Sequence, residues 1–580
     1  MRRRIIMSML AGATLVASTL LGTAPAQAAT PPAQAAAPPG RSAITSGQAV
    51  RPAVQGAQSL ESTRGPRGAR AVDPPAEFGT DWHDPLTAAP PVAKPDGRSC
   101  RVTVAEAQFR DFTPYKGTYA PPRGCGDRWS KVVLRLEGKV QGRQFDRLGY
   151  LHIGGVEVFR TSTPQPSPDG IAWSVEKDVT RYSDTFREGH DVEMLIGNVV
   201  DDTYTGIIDV KVALTFYAAD KSTAPKKRPG STPDRVLTLR DGTLTTPRNS
   251  ERIVAEVYAT GSGGGCEEYW YLTVPDAAPY SCKAEDGPYR EVQIRVDGRL
   301  AGIASPFPTV WTGGWSNPFL WYVIPGPRAF DIKPVEYDLT PFAGLLNDGR
   351  PHRIDVSVVG VPEGQSGWSV PVNVLVWQDA KSRHVTGGLT AHRAGDLANT
   401  STYTPGSEHR LDTGAGHRLT VSGYVDTSHG RVATTVDREL ANTSVHRWTD
   451  GENTDALKGT WTDDETVTVD GPGPAATTRT HRTYTMDGTT TLGAGDRLRT
   501  VLSLGDRASV VETRGGRRTV WSRLDDSYAG DATYTANVPR DQRHAVGTTS
   551  ERYRLYGSDG CHDRRLATEQ GVLTEVRDRC

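Results

Sequence analysis

Short stretches in which apolar and polar residues alternate run along most of the chain, and turn-forming residues separate them about every 8–12 positions. The clearest stretch is 208–217, where Ile208, Val210 and Val212 begin a run with an apolar residue at every second position. Successive side chains of a strand point to opposite faces, so this period of two predicts strands with one buried face. Long stretches of helical periodicity are absent. We therefore predict an all-β protein.

A β-hairpin is predicted within the stretch 144–163, where apolar alternation that starts at Leu148 leads into the two-residue turn Gly154-Gly155. Asp146 and Arg147 directly precede the hairpin and are expected at its mouth. A carboxylate beside a guanidinium can grip a polar substrate and move a proton. The structural alternative is an exposed ion pair, which contributes little in most proteins.

Changes in composition divide the chain into regions. The 580 residues are too many for one core. The two regions on either side of a Pro-, Ser- and Lys-rich linker share an order of several strands, a Pro/Gly-rich crossing and a strand pair. This anatomy favours two tandem jelly-roll-like β-sandwiches followed by a C-terminal all-β region. The predicted bounds are 97–220 for the first sandwich, 221–234 for the linker, 235–380 for the second sandwich and 385–580 for the last region.

The first 28 residues have the pattern of a secretory signal peptide: three arginines, an apolar centre and the small-residue site Ala26-Gln27-Ala28. Residues 29–96 are rich in Ala, Pro, Gly and Arg and have few large apolar side chains. We expect them to form a disordered leader, because they cannot bury enough surface to offset the ordering entropy. We therefore expect a secreted, extracellular protein that does not span a membrane.

Six cysteines fall into three local groups, which predicts the disulfides Cys100–Cys125, Cys266–Cys282 and Cys561–Cys580. Six cysteines allow fifteen pairings, so sequential pairing is a hypothesis. The alternatives are a cysteine nucleophile or a metal site. No Cys-x-x-Cys spacing occurs, and an exported protein oxidises its thiols.

The charges are balanced, with a formal net charge of −1 and acids and bases mixed throughout. This excludes the basic stripe expected of a nucleic-acid-binding protein and the polybasic cluster of a lipid-binding one. The spacings His-x-x-x-His and His-Glu-x-x-His are also absent, which argues against a zinc hydrolase. We expect no cofactor, no metal and no nucleic-acid or membrane partner.

Several ordered blocks carry a family resemblance. They are residues 144–163, 170–182, 196–206, 306–318, 329–332 and 337–349. In this order they closely resemble the peptide:N-glycosidase A family of secreted amidases, and more distantly the bacterial PNGase F enzymes. The resemblance implies hydrolysis of the glycosyl-asparagine amide of N-linked glycopeptides or denatured glycoproteins, which releases the glycan and leaves aspartate. It also implies two jelly rolls with the glycan site between them.

The resemblance assigns roles to the acidic residues. Asp146 resembles the catalytic aspartate that opens a strand in the first jelly roll of PNGase F enzymes, so it would activate water, and Arg147 would orient the water or the substrate. Glu268 follows a glycine-rich loop and Cys266, as a functional glutamate does in those enzymes. Glu267 is the alternative substrate-binding acid. The structural alternative is a disulfide-tied turn with two solvated acids.

Other polar and aromatic residues of the resembling blocks complete the candidate site. Trp315 follows two glycines and is expected to stack on a sugar ring. Trp311 and Trp321 fit a core role better. Asp202 is a weaker candidate for binding substrate, and Asp178 is expected to cap a turn.

Two other functions remain open. A non-catalytic carbohydrate-binding β-sandwich would use disulfides, tryptophans and glycine-rich loops equally well. A glycoside hydrolase with two carboxylates would cleave a sugar–sugar bond and leave a sugar on asparagine. A monomer is expected in each case.

Overall fold

The computed structural model describes residues 82–219, 232–262, 265–310, 317–365 and 367–580. Its strands pair in antiparallel ladders throughout, which confirms the all-β class. The predicted signal peptide, most of the predicted leader and linker, and Trp315 lie outside these residues. Within the described ranges, no helix is both long and apolar enough to cross a bilayer.

The first jelly roll consists of eight strands. They are β1 (Ser99–Phe109), β2 (Tyr115–Tyr119), β3 (Trp129–Val140), β4 (Leu148–Ile153), β5 (Val156–Ser162), β6 (Ile171–Asp178), β7 (His190–Ile196) and β8 (Ile208–Ala218). One sheet has the order β1-β8-β3-β6 and the other β2-β7-β4-β5. The predicted alternation in β8 places Ile208, Val210 and Val212 in the core. The β4–β5 hairpin turns at Gly154 and Gly155, whose φ values of 58° and 80° favour glycine.

The second jelly roll repeats this topology. Its strands are β9 (Arg235–Thr238), β10 (Thr243–Leu244), β11 (Ser250–Val257), β12 (Thr260–Gly261), β13 (Glu291–Val296), β14 (Arg299–Ala304), β15 (Val335–Asp338), β16 (His352–Val359), β17 (Trp368–Ser369) and β18 (Val372–Gln378). The sheets have the orders β10-β16-β13-β14 and β15-β11-β18-β9, and β12 pairs separately with β17. The single α-helix of the described residues is α1 (Ala343–Leu346).

The C-terminal region forms one eleven-stranded sheet. Its strands are β19 (Thr386–Ala394), β20 (Ala398–Thr404), β21 (Glu408–Thr427), β22 (Gly430–Thr449), β23 (Thr454–Asp470), β24 (Ala476–Gly493), β25 (Arg497–Arg514), β26 (Arg517–Thr535), β27 (Val546–Gly557), β28 (Gly560–Glu569) and β29 (Val572–Asp578). From β21 onward each strand pairs with the next, while β19 and β20 both pair with β21.

This long sheet packs on the second jelly roll without an intervening layer. A Cβ at Gly423 of β21 would lie 2.1 Å from the carbonyl oxygen of Pro341, and one at Gly344 of α1 would lie 2.2 Å from the backbone of Gly387. Such separations leave no room for a side chain, so glycine is required for this backbone contact. The C-terminal sheet thus buries one face against the domain that precedes it.

Residues 82–96, which the sequence placed in a disordered leader, pack on the body of the protein. Trp82 is 4% exposed and stacks on Tyr322 at 3.9 Å. The backbone N–H of Leu86 donates to Val323, and that of His83 donates to Gly571 of the C-terminal sheet. The prediction was wrong for this segment because two large apolar side chains, Trp82 and Leu86, are enough to anchor a short strap to an existing surface.

Buried polar contacts join the two jelly rolls. The guanidinium of Arg160 on β5 forms a bidentate pair with Glu157 at 2.6 and 3.0 Å and donates to Thr260 and Ser369 of the second jelly roll. The Asn373 amide of β18 exchanges two hydrogen bonds with the backbone of Glu157. Buried charges need this degree of satisfaction, so these contacts hold the two jelly rolls in one relative placement.

The disulfides Cys100–Cys125, Cys266–Cys282 and Cys561–Cys580 are present, in the sequential pairing that the spacing predicted.

Candidate active site

The backbone before β4 holds Asp146 and Arg147 at the edge of the first jelly roll. The side chain of Gln144 is buried and donates to the carbonyls of Val199 and Gly206, which fixes this bend against the 199–206 loop. The N–H of Arg147 donates to the hydroxyl of Thr163, and the carbonyl of Arg147 accepts from the N–H of Thr163. Asp146 therefore projects from a rigid bend, and its side chain is partly exposed.

The Arg147 guanidinium is half-buried beside Asp146. It donates to the side-chain oxygen of Gln144 through Nε, at 3.1 Å, and through Nη2. It also lies over the ring of Tyr204, with Cζ 6.0 Å from the ring centre. Burial lowers the pKa of Arg147, and the nearby Asp146 and Tyr204 oppose this shift. An arginine stays charged under such a shift, so Asp146 has a fixed cation beside it.

The loop that carries Glu268 is closed tightly on the second jelly roll. A Cβ at Gly261 would lie 2.1 Å from the carbonyl oxygen of Glu267, so only glycine allows the loop to fold back on β12. The Cys266–Cys282 disulfide ties the same loop to the following segment. The N–H of Glu268 donates to the carbonyl of Gly265 at 3.0 Å.

Glu267 does not have the substrate-binding role that the sequence suggested as an alternative. Its side chain is 1% exposed and forms a bidentate ion pair with Arg290, with N–O distances of 2.6 and 2.8 Å. The indole of Trp368 donates to the same carboxylate at 2.6 Å. Both carboxylate oxygens are thus engaged inside the protein, and Glu267 fixes the loop instead of facing a ligand.

Glu268 and Asp146 meet electrostatically at one phenol. The Tyr269 hydroxyl donates to Oε1 of Glu268 at 3.0 Å. Burial raises the pKa of Tyr269, and the negative charges of Glu268 and Asp146 raise it further. Tyr271 is buried as well, and its pKa is raised by burial and by the charge of Glu268. Tyr269 is therefore a protonated phenol within the field of acids from both jelly rolls.

The remaining candidates differ in placement. Asp202 is exposed on the 199–206 loop, while its neighbour Asp201 accepts hydrogen bonds from the backbone of Thr203 and Tyr204 and so shapes that loop. Asp178 accepts from the backbone and hydroxyl of Thr180, as expected of a turn cap. Trp315 lies outside the described residues.

The sequence analysis missed Tyr204 and Tyr269 as site residues. Tyr269 directly follows the two glutamates, so its position in the Cys-Glu-Glu-Tyr run was a usable signal. Tyr204 is far from Arg147 along the chain. Its role depends on the fold, which brings the 199–206 loop against the bend at Gln144.

One group of side chains has ligand types suited to a cation. Glu251, Asp379 and His429 bring three possible ligand atoms within 4.8 Å of one another. Asp379 already accepts from the backbone and hydroxyl of Ser428 and from the N–H of Lys381. These contacts give Asp379 a structural role in fixing the turn between β21 and β22.

The fold defines a protein of two tandem jelly rolls with an acidic site where they meet. The chain belongs to the family described as peptide N-acetyl-beta-D-glucosaminyl asparaginase amidase A, whose model matches residues 88–394, more than half of the chain. A similar protein is the peptide-N4-(N-acetyl-beta-glucosaminyl)asparagine amidase A of Prunus dulcis, which is 30% identical over 384 residues. That match covers 59% of this chain and 66% of the relative, just under two thirds of its length.

Solved structures also match this chain. PNGase F, a glycosylasparaginase from Flavobacterium meningosepticum, is 11% identical with a TM-score of 0.34, and the match covers 49% of this chain and 96% of that one. The structure of PNGF-II is 15% identical with a TM-score of 0.33, over 48% of this chain and 66% of that one.

Proposed function

We propose that this protein is a secreted amidase that hydrolyses the bond between an N-linked glycan and its asparagine, releasing the glycan and leaving aspartate in the peptide. The observation that carries the proposal is the arrangement at Tyr269, whose hydroxyl donates to Glu268 at 3.0 Å and whose pKa is raised by burial and also by the charges of Glu268 and Asp146. The family membership of residues 88–394 indicates the amide as the bond attacked.

Asp146 is the proposed base. Hydrolysis of an amide requires a water activated against the carbonyl carbon, and a carboxylate within hydrogen-bond reach can accept the proton of that water. Arg147 is held beside it by Gln144 and Thr163, so its positive charge cannot swing away. This guanidinium places a fixed positive charge beside Asp146 and can hold the oxyanion that develops on the former carbonyl oxygen.

Glu268 and Tyr269 are the proposed contacts to the sugar and its amide. The phenol stays protonated because burial and two negative charges raise its pKa, and it donates to Glu268. The carboxylate of Glu268 is a hydrogen-bond acceptor of the kind that a sugar hydroxyl or an amide N–H requires. Fixing these donors and acceptors before the substrate arrives reduces the entropy lost in reaching the transition state.

The proposed class of substrate follows from the position of the site between the two jelly rolls. A glycopeptide has a polar sugar on one side of the scissile bond and an extended peptide on the other, and a cleft between two domains can take both. The predicted signal at 1–28 and the three disulfides support action outside the cell. We therefore propose N-glycosylated peptides or denatured glycoproteins as substrates, and a secreted monomer as the active form.

Mass spectrometry of a defined glycopeptide tests this function. The purified protein should release the whole glycan and convert the glycosylated asparagine to aspartate. A peptide that keeps one N-acetylglucosamine on asparagine would instead show a glycoside hydrolase. A peptide that is retained but unchanged would show a carbohydrate-binding protein, so each outcome identifies one of the three functions.

A further inference from the structure

A group of arginines borders the candidate site. Arg143 precedes the Asp146–Arg147 pair by three residues and is exposed, and its Cζ lies 5.7 Å from the ring centre of Tyr204. The ring of Tyr204 therefore carries two guanidiniums, those of Arg143 and Arg147. Phe145, 37% exposed, packs on the same ring at 5.2 Å.

Two further arginines come from the 540–543 turn of the C-terminal region. Arg540 lies over Trp82 at 5.4 Å, and Arg543 lies over Tyr534 at 5.9 Å. Arg540 also donates to the carbonyl of Pro166, at 3.5 Å, in the segment that follows β5 of the first jelly roll. The turn is therefore fixed against the jelly roll that bears Asp146.

The segments that carry Arg143 and Arg540 meet in one place, because the N–H of Gly142 donates to the carbonyl of Ser167 and Arg540 donates to the carbonyl of the preceding Pro166. Burial lowers the pKa of Arg540, Tyr322 opposes this shift, and the positive charges of Arg543 and Arg143 lower the pKa further. Among the ion pairs of the described residues, none involves Arg143, Arg540 or Arg543.

Two exposed acids, Asp201 and Asp202, lie on the 199–206 loop beside this group. Asp201 accepts hydrogen bonds from the backbone of Tyr204 and Thr203. These hydrogen bonds lower the pKa of Asp201, with a smaller contribution from the charge of Arg143. Asp201 therefore shapes the loop through its backbone contacts.

We propose that Arg143, Arg540 and Arg543 form an anion subsite that receives a negatively charged group of the substrate beside the scissile bond. Grouped like charges repel, and an incoming carboxylate, sulfate or phosphate would relieve that repulsion. Guanidiniums bind such planar or tetrahedral anions with two hydrogen bonds each. The rings of Tyr204, Trp82 and Tyr534 lie against these three guanidiniums and favour their positive charge.

This inference rests on the proposed function, because the anion would belong to the same glycopeptide. Its source can be an acidic sugar of the glycan or an acidic side chain next to the glycosylated asparagine. Both sources present the same chemistry to the arginines, so the experiment has one arm for each.

The test compares three glycopeptides: one with a neutral glycan on a neutral peptide, one with an acidic sugar added, and one with an aspartate placed beside the glycosylated asparagine. We expect kcat/KM to be on the order of tenfold higher for at least one acidic substrate, since hydrogen bonds to charged groups contribute about this much. The preference should shrink in 0.5 M salt, because added salt shortens the screening length to only about 3–8 Å.

The double variant Arg143→Gln with Arg540→Gln should remove the preference while leaving turnover of the neutral substrate near its original value. Arg518→Gln is the matched control, because Arg518 also lies over an aromatic ring, Trp521 at 5.5 Å, and is exposed on a hairpin of the C-terminal sheet. The control should keep the full preference.

Equal kcat/KM for all three substrates, or a preference that survives in the double variant, would overturn the subsite. If the protein released no glycan from any substrate, the proposed function would fail instead. In that case calorimetric titration with the same three glycopeptides still measures the preference as a ratio of dissociation constants. Equal dissociation constants would then reject the subsite independently.

Discussion

Two buried acids of the C-terminal sheet make the stability of this protein depend on pH. Asp526 on β26 and Glu551 on β27 are 4% and 5% exposed and lie on neighbouring strands, whose register pairs Asp526 with Tyr553 and Glu551 with Tyr528. Burial raises the pKa of Glu551 to about 7, and burial together with the charges of Glu551 and Asp506 raises the pKa of Asp526 well above its usual value. The two carboxyls therefore share a proton at moderately acid pH.

The direction of the pH dependence follows from the number of protons that the folded and unfolded chains bind. Between pH 4.5 and about 7 the unfolded chain ionises Glu551 while the folded chain keeps it protonated, so the folded state binds more protons. The free energy of unfolding therefore falls as pH rises through this window. The shift from 4.5 to about 7 corresponds to a loss on the order of 3 kcal/mol, since one pKa unit is about 1.4 kcal/mol.

The backbone of Ala88 and an ion pair lie next to the carboxyls of Asp526 and Glu551. The N–H of Ala88, on the strap, donates to Glu551, and the ion pair of Arg328 with Asp506 lies near Asp526. The Ala88 N–H favours the ionised form of Glu551 and so offsets part of the rise in its pKa that burial causes. Tyr553 on the same strand adds no charge, because burial raises its pKa.

Urea unfolding measured from pH 4.5 to 8, on the wild type and on Glu551→Gln, tests this reasoning. The variant removes the titrating group. Its free energy of unfolding should therefore fall less between pH 5 and pH 8 than that of the wild type. Asp563→Asn is the control, because its pKa is lowered by Arg552 and it does not titrate in this window. Identical slopes for wild type and Glu551→Gln would refute the assignment.

Three further predictions concern the site and the strap. Asp146→Asn should keep the fold and lower turnover on the order of 10²–10⁴, because it removes the basicity and preserves the shape, and unchanged turnover would move the base to another acid. Glu267→Gln should lower kcat more than it raises KM at temperatures where the variant is fully folded, because it loosens the loop before Glu268; a variant that loses only thermal stability would show that Glu267 serves the fold alone. A chain that begins at residue 97 should melt at a lower temperature than one that begins at residue 82, since it lacks the Trp82–Tyr322 stack, and equal melting temperatures would show that the strap adds nothing.

Much of the fold was accessible from the sequence because single strands carry their own signal. Alternation at 208–217 predicted β8, and Gly154-Gly155 predicted the hairpin turn, since both features depend on local geometry. The class of tandem jelly rolls is confirmed. Residues 82–96 were wrongly predicted to be disordered, because composition averages over the whole segment. Their order depends on two apolar side chains, Trp82 and Leu86, which pack on the rest of the protein.

The site was harder to predict because adjacent residues can face opposite environments. Glu267 and Glu268 are neighbours in a tight turn, and sequence cannot tell which one points inward. The fold decides, since Arg290 and Trp368 come from segments that are distant along the chain and engage only Glu267. Tyr204 is likewise brought to Arg147 by the loop that Gln144 fixes.

The most direct test of the account is the fate of the attacking oxygen. In water enriched in the heavy oxygen isotope, the wild-type protein should place one heavy oxygen in the side chain of the new aspartate, because the water attacks the amide carbonyl and the glycan leaves as a glycosylamine that keeps the former amide nitrogen. Asp146→Asn should incorporate heavy oxygen far more slowly at the same position. Heavy oxygen found on the sugar, with the asparagine intact, would contradict the proposed amide hydrolysis and the role of Asp146 together.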